Sequence, residues 1–347
     1  MTDYIAIKGI QIQKIAGDPS NIQEGDIWYN SSSNALKGRV VGAAVGAWAS
    51  SNNMNSARTA CASAGAQSAG QVSGGLTTSG PAYIFWKNTE HYDGTSWSEV
   101  ADTIVGKFYT AGMGTTSNAL EVSGQKPPTP GNLTGDVEEW DGTSWSETAD
   151  VNSPRVNMGG FGTTSAAISC GGQSPAVGFS ALTESWNGTS WSEVADLNLN
   201  RTDVAPGGTQ SAGIGAGGQS PPTGVVDETE LWDGTSWSET ADMVTDRAQC
   251  GSTANAPNSN TIIFGGTLAS AGSYADCNET EIWDGTSWTE IDDLGTALTR
   301  FTRIGSSAGA GTASAGYRGS DGGPPAGKPG STEDFNSAAA TVTFTDS

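Results

Sequence analysis

The apolar residues of this chain follow no helical rhythm; no segment repeats them at a 3.6-residue period. They sit instead in short strand-forming runs separated by Gly, Asn, Asp and Ser. Residues 155–197 show the unit. Met158 to Gly162 reads as a short Gly-rich strand, and Ser165 to Cys170 as a second strand closed by Gly171 and Gly172. A variable loop then leads into Leu182 to Trp186, and an Asn187-Gly188 turn returns the chain through Trp191 to Val194. Asn-Gly and Asp-Gly between strand formers are strong hairpin signals, because both central residues tolerate positive φ. The pattern predicts four short antiparallel strands.

The unit recurs. An aromatic–Asp–Gly–Thr–Ser–Trp block runs from Tyr92 to Trp97, Trp140 to Trp145, Trp186 to Trp191 (Asn187 in place of Asp), Trp232 to Trp237 and Trp283 to Trp288. A sixth copy, Thr332 to Asn336, stops before its second Trp. The leading aromatics lie 46 to 52 residues apart. Such a period marks a radial or stacked repeat in which each unit needs its neighbours to bury a face. The expectation is an all-β, six-bladed propeller over residues 46–347, preceded by a short N-terminal hairpin or anchor segment, 1–45. Register predicts how the ring closes: Trp97, Trp145, Trp191 and Trp237 each precede a basic residue by ten positions, and Trp48 precedes Arg58 by the same ten. A strand around Trp48 should therefore complete the last blade by pairing with Thr332 to Phe335, which removes an exposed edge. Ala340 to Thr345 competes for that place.

Charge and composition narrow the function. A formal net charge of −22 without a basic cluster argues against a nucleic-acid partner. No run is long and apolar enough to span a membrane, and the first residues lack the basic and apolar regions of a secretory signal. The four cysteines do not form a disulfide framework; Cys61 and Cys250 occupy equivalent positions in non-adjacent repeats, and Cys170 reads as a buried thiol. A single histidine, His91, with no Cys or carboxylate cluster makes neither a metal site nor a catalytic triad. Glu99, Glu147, Glu193 and Glu239 recur with the repeat and read as solvated strand faces. No cofactor, no metal and no enzymatic role are expected, and a propeller glycosidase is the least favoured class.

Binding is expected on one face. Strands alternate in direction, so the fourth-to-first and second-to-third connections open together. The second-to-third loops vary among repeats, whereas the Asp-Gly turns of the opposite face hardly do, and variable loops on a rigid scaffold are where recognition resides. Within 80–87, Tyr83, Phe85 and Trp86 form an aromatic cluster that either covers a neighbouring edge or offers a stacking platform. The repeat arginines Arg58, Arg155, Arg201, Arg247 and Arg300 share this face, either bonding loop carbonyls or forming a ligand-facing ring. The repeat tryptophans are expected in the core.

Double glycines ending the second strands (Gly74-Gly75, Gly171-Gly172, Gly217-Gly218, Gly265-Gly266), the aromatic–Asp of the third and the Trp of the fourth resemble kelch-type propellers. The two aromatics stand closer than in the usual kelch pair, and Ser123-Gly124 replaces one double glycine. Glu24 to Asn30 with Ala35-Leu36-Lys37, preceded by Asp18-Pro19-Ser20, resembles a segment of tail-fibre and other virion proteins of tailed bacteriophages. The repeats are similar to kelch-like repeats of marine-phage virion proteins. The resemblance implies a fibre, spike or decoration protein assembled in the host cytoplasm. It would contact other virion proteins through its N-terminal segment and a host-surface glycan or protein through its variable loops. A non-viral propeller that binds polysaccharide or protein is the alternative.

Overall fold

The computed structural model describes residues 13–16, 27–32, 35–39, 46–79, 82–127, 132–222, 224–254, 258–270, 273–295, 315–319, 332–337 and 341–344. Strands, turns and loops account for all of them. They divide into two units: Met1–Gly46 with Ser337–Ser347, and Ala47–Asn336.

In the smaller unit, Gln13–Ile15 pairs in parallel with Ile27–Asn30, which pairs antiparallel with Ala35–Arg39. Thr341–Phe344 then adds antiparallel to Ala35–Arg39. The segment expected as a short hairpin is thus the middle of a four-stranded sheet. The C-terminal strand that competed for a place in the ring lies here, and its Thr-Val-Thr-Phe is rich in strand formers.

The larger unit has a β-propeller arrangement with five four-stranded blades. The first comprises Ala62–Ala66, Ala69–Ser73, Thr89–Tyr92 and Trp97–Val100. The third, Gly159–Thr163, Ala166–Cys170, Thr183–Trp186 and Trp191–Glu193, matches the strands read from residues 155–197 closely. The aromatics that flank each Asp-Gly turn face one another across the hairpin, as in Trp140 opposite Trp145 with ring centroids 5.6 Å apart. Each turn is stapled by its own side chain: Asp141 Oδ1 accepts the Thr143 and Ser144 amides at 2.8 Å each, while Gly142 takes φ 95°.

Six full blades were expected; among the described residues five four-stranded blades form, and the sixth repeat gives a three-stranded sheet of Ala315–Gly319, Thr332–Ser337 and Gly46–Ser51. Residues 296–314, which precede these strands, lie outside the described residues. Gly46–Ser51 takes the outer place that the Trp48 register indicated. This sheet touches the fifth blade and the first. Trp48 packs on Phe264 at 4.8 Å and donates to Thr280 Oγ1 at 3.0 Å, while the Tyr92 hydroxyl donates to Asp334 at 2.7 Å.

One hydrogen bond repeats from blade to blade. The indole of each fourth-strand Trp donates to a threonine on the third strand of the preceding sheet: Trp97 to Thr332, Trp145 to Thr89, Trp237 to Thr183 and Trp288 to Thr229. Trp191 breaks the series. Its position calls for a threonine where Val137 stands, and its buried Nε1 has no partner among the described residues. Val137→Thr is therefore expected to stabilise the protein by about 1 kcal/mol, the net worth of a new buried hydrogen bond. Urea unfolding would show a raised midpoint at unchanged slope.

Candidate functional site

The sequence places the repeat arginines at the links between blades, and the structure shows what they do there. Arg155 donates to the carbonyl of Leu182 at 2.7 Å and reaches Glu184 at 3.1 Å, with both side chains at most 1% exposed. Glu184 meanwhile accepts the amides of Asn152 and Ser153 at 2.7 and 3.2 Å. The same clamp joins Arg58 to Glu90, Arg201 to Glu230 and Arg247 to Glu281, and Lys107 serves Glu138. Glu333 accepts the Gly295 amide at 2.9 Å in the corresponding way. Of the two readings, bonding to loop carbonyls is the one that Arg58, Arg155, Arg201 and Arg247 take, and a guanidinium sealed against a carboxylate and carbonyls presents nothing to solvent. Arg300 lies outside the described residues.

The glutamate partners went unread in the sequence. Each stands two positions before an aromatic, and in a strand that spacing puts both on one face. A charged residue recurring on a core face is itself a signal of a buried ion pair.

The second repeat departs from the pattern. Its cation is a lysine, and an additional buried carboxylate, Glu121, stands directly across the strand from Glu138. Ser73 donates to Glu121 Oε2 at 2.8 Å, while Oε1 is buried without a partner among the described residues. Burial pushes the Glu121 carboxyl up to about 7, with Lys107 opposing the rise and the neighbouring Glu138 charge adding to it. A carboxyl whose pKa is raised on folding contributes stability that is fully present below its ordinary value. That contribution is lost as the pH climbs through about 7. Unfolding free energy is expected to fall between pH 4.5 and about 7 by on the order of 1–3 kcal/mol from this group. Glu121→Gln should flatten that part of the profile, as denaturant titrations at stepped pH would reveal.

Phe85 and Trp86 of the aromatic cluster are folded down rather than displayed. Ala82–Phe85 pairs with Leu76–Ser79 in a small hairpin. Phe85 is half-buried against Phe108 at 5.2 Å, and the half-buried Trp86 ring stacks beneath Arg58 at 5.8 Å. The Tyr83 side chain lies outside the described residues, though its backbone pairs with Thr78. Covering a neighbouring link, the first of the two readings, is what Phe85 and Trp86 do. His91 is also structural: its Nε2 bonds Gln71 at 2.9 Å and its ring meets the Trp140 edge. Burial lowers its pKa.

The concave feature of the larger unit lies elsewhere, where the inner strands begin. Ala60, Tyr109, Asn157, Asp203 and Gln249 occupy one register, two residues after each basic tether, and all five have φ between 58° and 62°. Left-handed backbone costs roughly 1–2 kcal/mol at a residue other than Gly. It is offset here by bonds between successive blades: Tyr109 N–H to Ala60 O at 2.8 Å, Asn157 N–H to Tyr109 O at 3.2 Å and Asp203 N–H to Asn157 O at 2.9 Å. These residues rim a cavity of ≈ 90 Å³ to which the first five repeats all contribute. Since the rim immediately precedes the inner strands, the cavity opens on the face that carries the variable loops. Sequence reasoning missed it, although Asn157 and Asp203 are types that accept positive φ.

Compared with models of known protein families and with characterised proteins, the chain matches none.

The chemistry of the rim is polar and short of strong nucleophiles. Cys61, on the lining, is buried and its thiol is pushed up to about 12, mainly by desolvation, which keeps it protonated. No three of His, Cys, Asp and Glu converge as metal ligands among the described residues. The polar residues along the lining include Asn157, Asp203 and Gln249.

Proposed function

We propose that this chain is a non-enzymatic structural component of a tailed-phage virion, a fibre, spike or decoration protein. Its propeller turns the variable-loop face toward a host surface. On this reading the three-stranded sheet acts as the sixth blade of a kelch-like ring, and the smaller unit attaches the protein to other virion proteins. The observation that carries the proposal is the resemblance of Glu24 to Lys37 to tail-fibre segments, joined to kelch-like repeats in one chain. Two structural features support it. Strands from both ends of the chain, Ala35–Arg39 and Thr341–Phe344, share one sheet in a unit distinct from the propeller, as suits an attachment module. The recurring arginines and glutamates are occupied in holding blades together, which suits a scaffold rather than a catalyst. Mass spectrometry of purified phage particles is the test: the protein should be a stoichiometric component, and its absence from particles would overturn the proposal.

The axial cavity gives a specific reason to keep the second reading, a non-viral propeller that binds a polysaccharide or a protein. A positive binding assay with no trace of the protein in particles would favour it.

A further inference from the structure

We infer that Asn187 is a site of spontaneous modification: its side-chain amide is lost by deamidation, and the turn of the third blade then carries an aspartate like the four others. Asn187-Gly188 is the one Asn-Gly pair in the chain, and it stands where Asp93, Asp141, Asp233 and Asp284 stand in the other blades. Both residues are exposed, so water reaches the reacting atoms. Gly188 has no Cβ beside its amide nitrogen, which leaves that nitrogen open to the neighbouring side chain.

The turn also activates the electrophile. Asn187 Oδ1 accepts the amides of Thr189 and Ser190 at 2.9 Å each. Two N–H donors on one oxygen draw electron density from Cγ and stabilise negative charge that develops on that oxygen. Hydroxide takes the Gly188 amide proton, and the nitrogen forms a bond to Cγ. The Cγ–Nδ2 bond then breaks, ammonia leaves with a proton from water, and a five-membered succinimide remains. Water adds next to one of the two ring carbonyls. Addition at Cγ reopens the ring to aspartate, whereas addition at the backbone carbonyl gives isoaspartate. Water and hydroxide are the only co-reactants. Because the Thr189 and Ser190 amides are directed at Oδ1, charge developing there is the better stabilised, and aspartate is the favoured product.

The other turns show that this product fits. Asp233 Oδ1 accepts the Thr235 and Ser236 amides at 2.8 Å each, and the Ser236 hydroxyl donates to Oδ2 at 3.4 Å. The carboxyls of Asp93, Asp141, Asp233 and Asp284 are held below their usual range, first by the serine amide and then by the threonine amide. An ionised carboxylate is a poor electrophile, so those four turns are inert and Asn187 is the one neutral acyl group of the set. A carboxylate also binds two amides more strongly than a neutral oxygen does. All that the third turn gives up is the long contact from Asn187 Nδ2 to Ser190 Oγ at 3.4 Å.

Peptide mapping by mass spectrometry on the full chain, held folded at mildly alkaline pH, tests the inference. Fragmentation should place a gain of one mass unit on Asn187, at a rate that rises with hydroxide. Asn152, whose amide is engaged by Glu184 and the Trp191 carbonyl, should stay unchanged. Aspartate should outnumber isoaspartate in the folded chain, and the ratio should invert in urea, where the turn is lost. Asn187→Asp should melt no lower than the parent and gain no further mass. Conversion in urea without conversion in the folded chain would overturn the inference, since the turn would then be shielding the amide. An equal share of isoaspartate in the two samples would overturn the role given to the Thr189 and Ser190 amides.

Discussion

Arg155→Met is expected to lower the unfolding free energy by about 3–5 kcal/mol, because it strands the Glu184 carboxylate in a site closed to solvent. The same change deletes the donor to the Leu182 carbonyl. The informative comparison is the double variant Arg155→Met with Glu184→Met. Removing both members of an isolated buried ion pair often restores stability. Here the carboxylate has a second task, since it also accepts the amides of Asn152 and Ser153. The double variant should therefore stay at least as unstable as the single one. Recovery to the parent midpoint in urea would show that the amide contacts carry little weight and that the ion pair alone matters.

Trp48→Ala is expected to cost about 3 kcal/mol, toward the lower end for a large aromatic because the ring is only half-buried. It would leave a hole between Phe264 and Phe335, 4.8 and 5.3 Å away, and free the Thr280 hydroxyl. The loss falls on the three-stranded sheet that joins the fifth blade to the first. A loosened Gly46–Ser51 would expose Thr332–Ser337 as an edge, so a concentration-dependent shift to larger species in size-exclusion chromatography should accompany the lower melting point. Normal melting and a monodisperse peak would mean that this strand is dispensable.

Much of this was legible in the chain because the repeat reports itself. The Asp-Gly turns and paired aromatics fix where each outer hairpin falls, and the ten-residue offset from Trp48 to Arg58 placed Gly46–Ser51 at the end of the sixth repeat. The partners across blades were harder to see. Thr89, Thr183 and Thr229 each belong to one sheet yet bond a tryptophan more than fifty residues later, and nothing local to either residue marks the pair. The arginines illustrate the same limit. Their register was visible, but whether a guanidinium points to a loop, a ligand or a glutamate depends on how deeply the link sinks between blades. For Phe85 and Trp86 the sequence left covering an edge and a stacking platform both open, because nothing local shows that Phe108 of the next link lies against Phe85. The axial cavity is a property of five repeats together, and no residue of its lining stands out in its own segment.

The placement of Gly46–Ser51 also sets a timetable for biosynthesis. Its neighbour Thr332–Ser337 is made about 280 residues later, which at 5–20 residues per second is a delay of roughly 15–55 s. For most of that interval Trp48 has neither Phe264 nor Phe335, and the nascent chain carries an unpaired strand out of the ribosome. The blades between can form in order as they emerge, each on the last, but the three-stranded sheet can assemble only after Thr332–Ser337 has been made. Closure of this sheet thus waits on synthesis of the sixth repeat, and products truncated before Thr332–Ser337 would carry an unpaired Gly46–Ser51 strand that marks them for aggregation or removal.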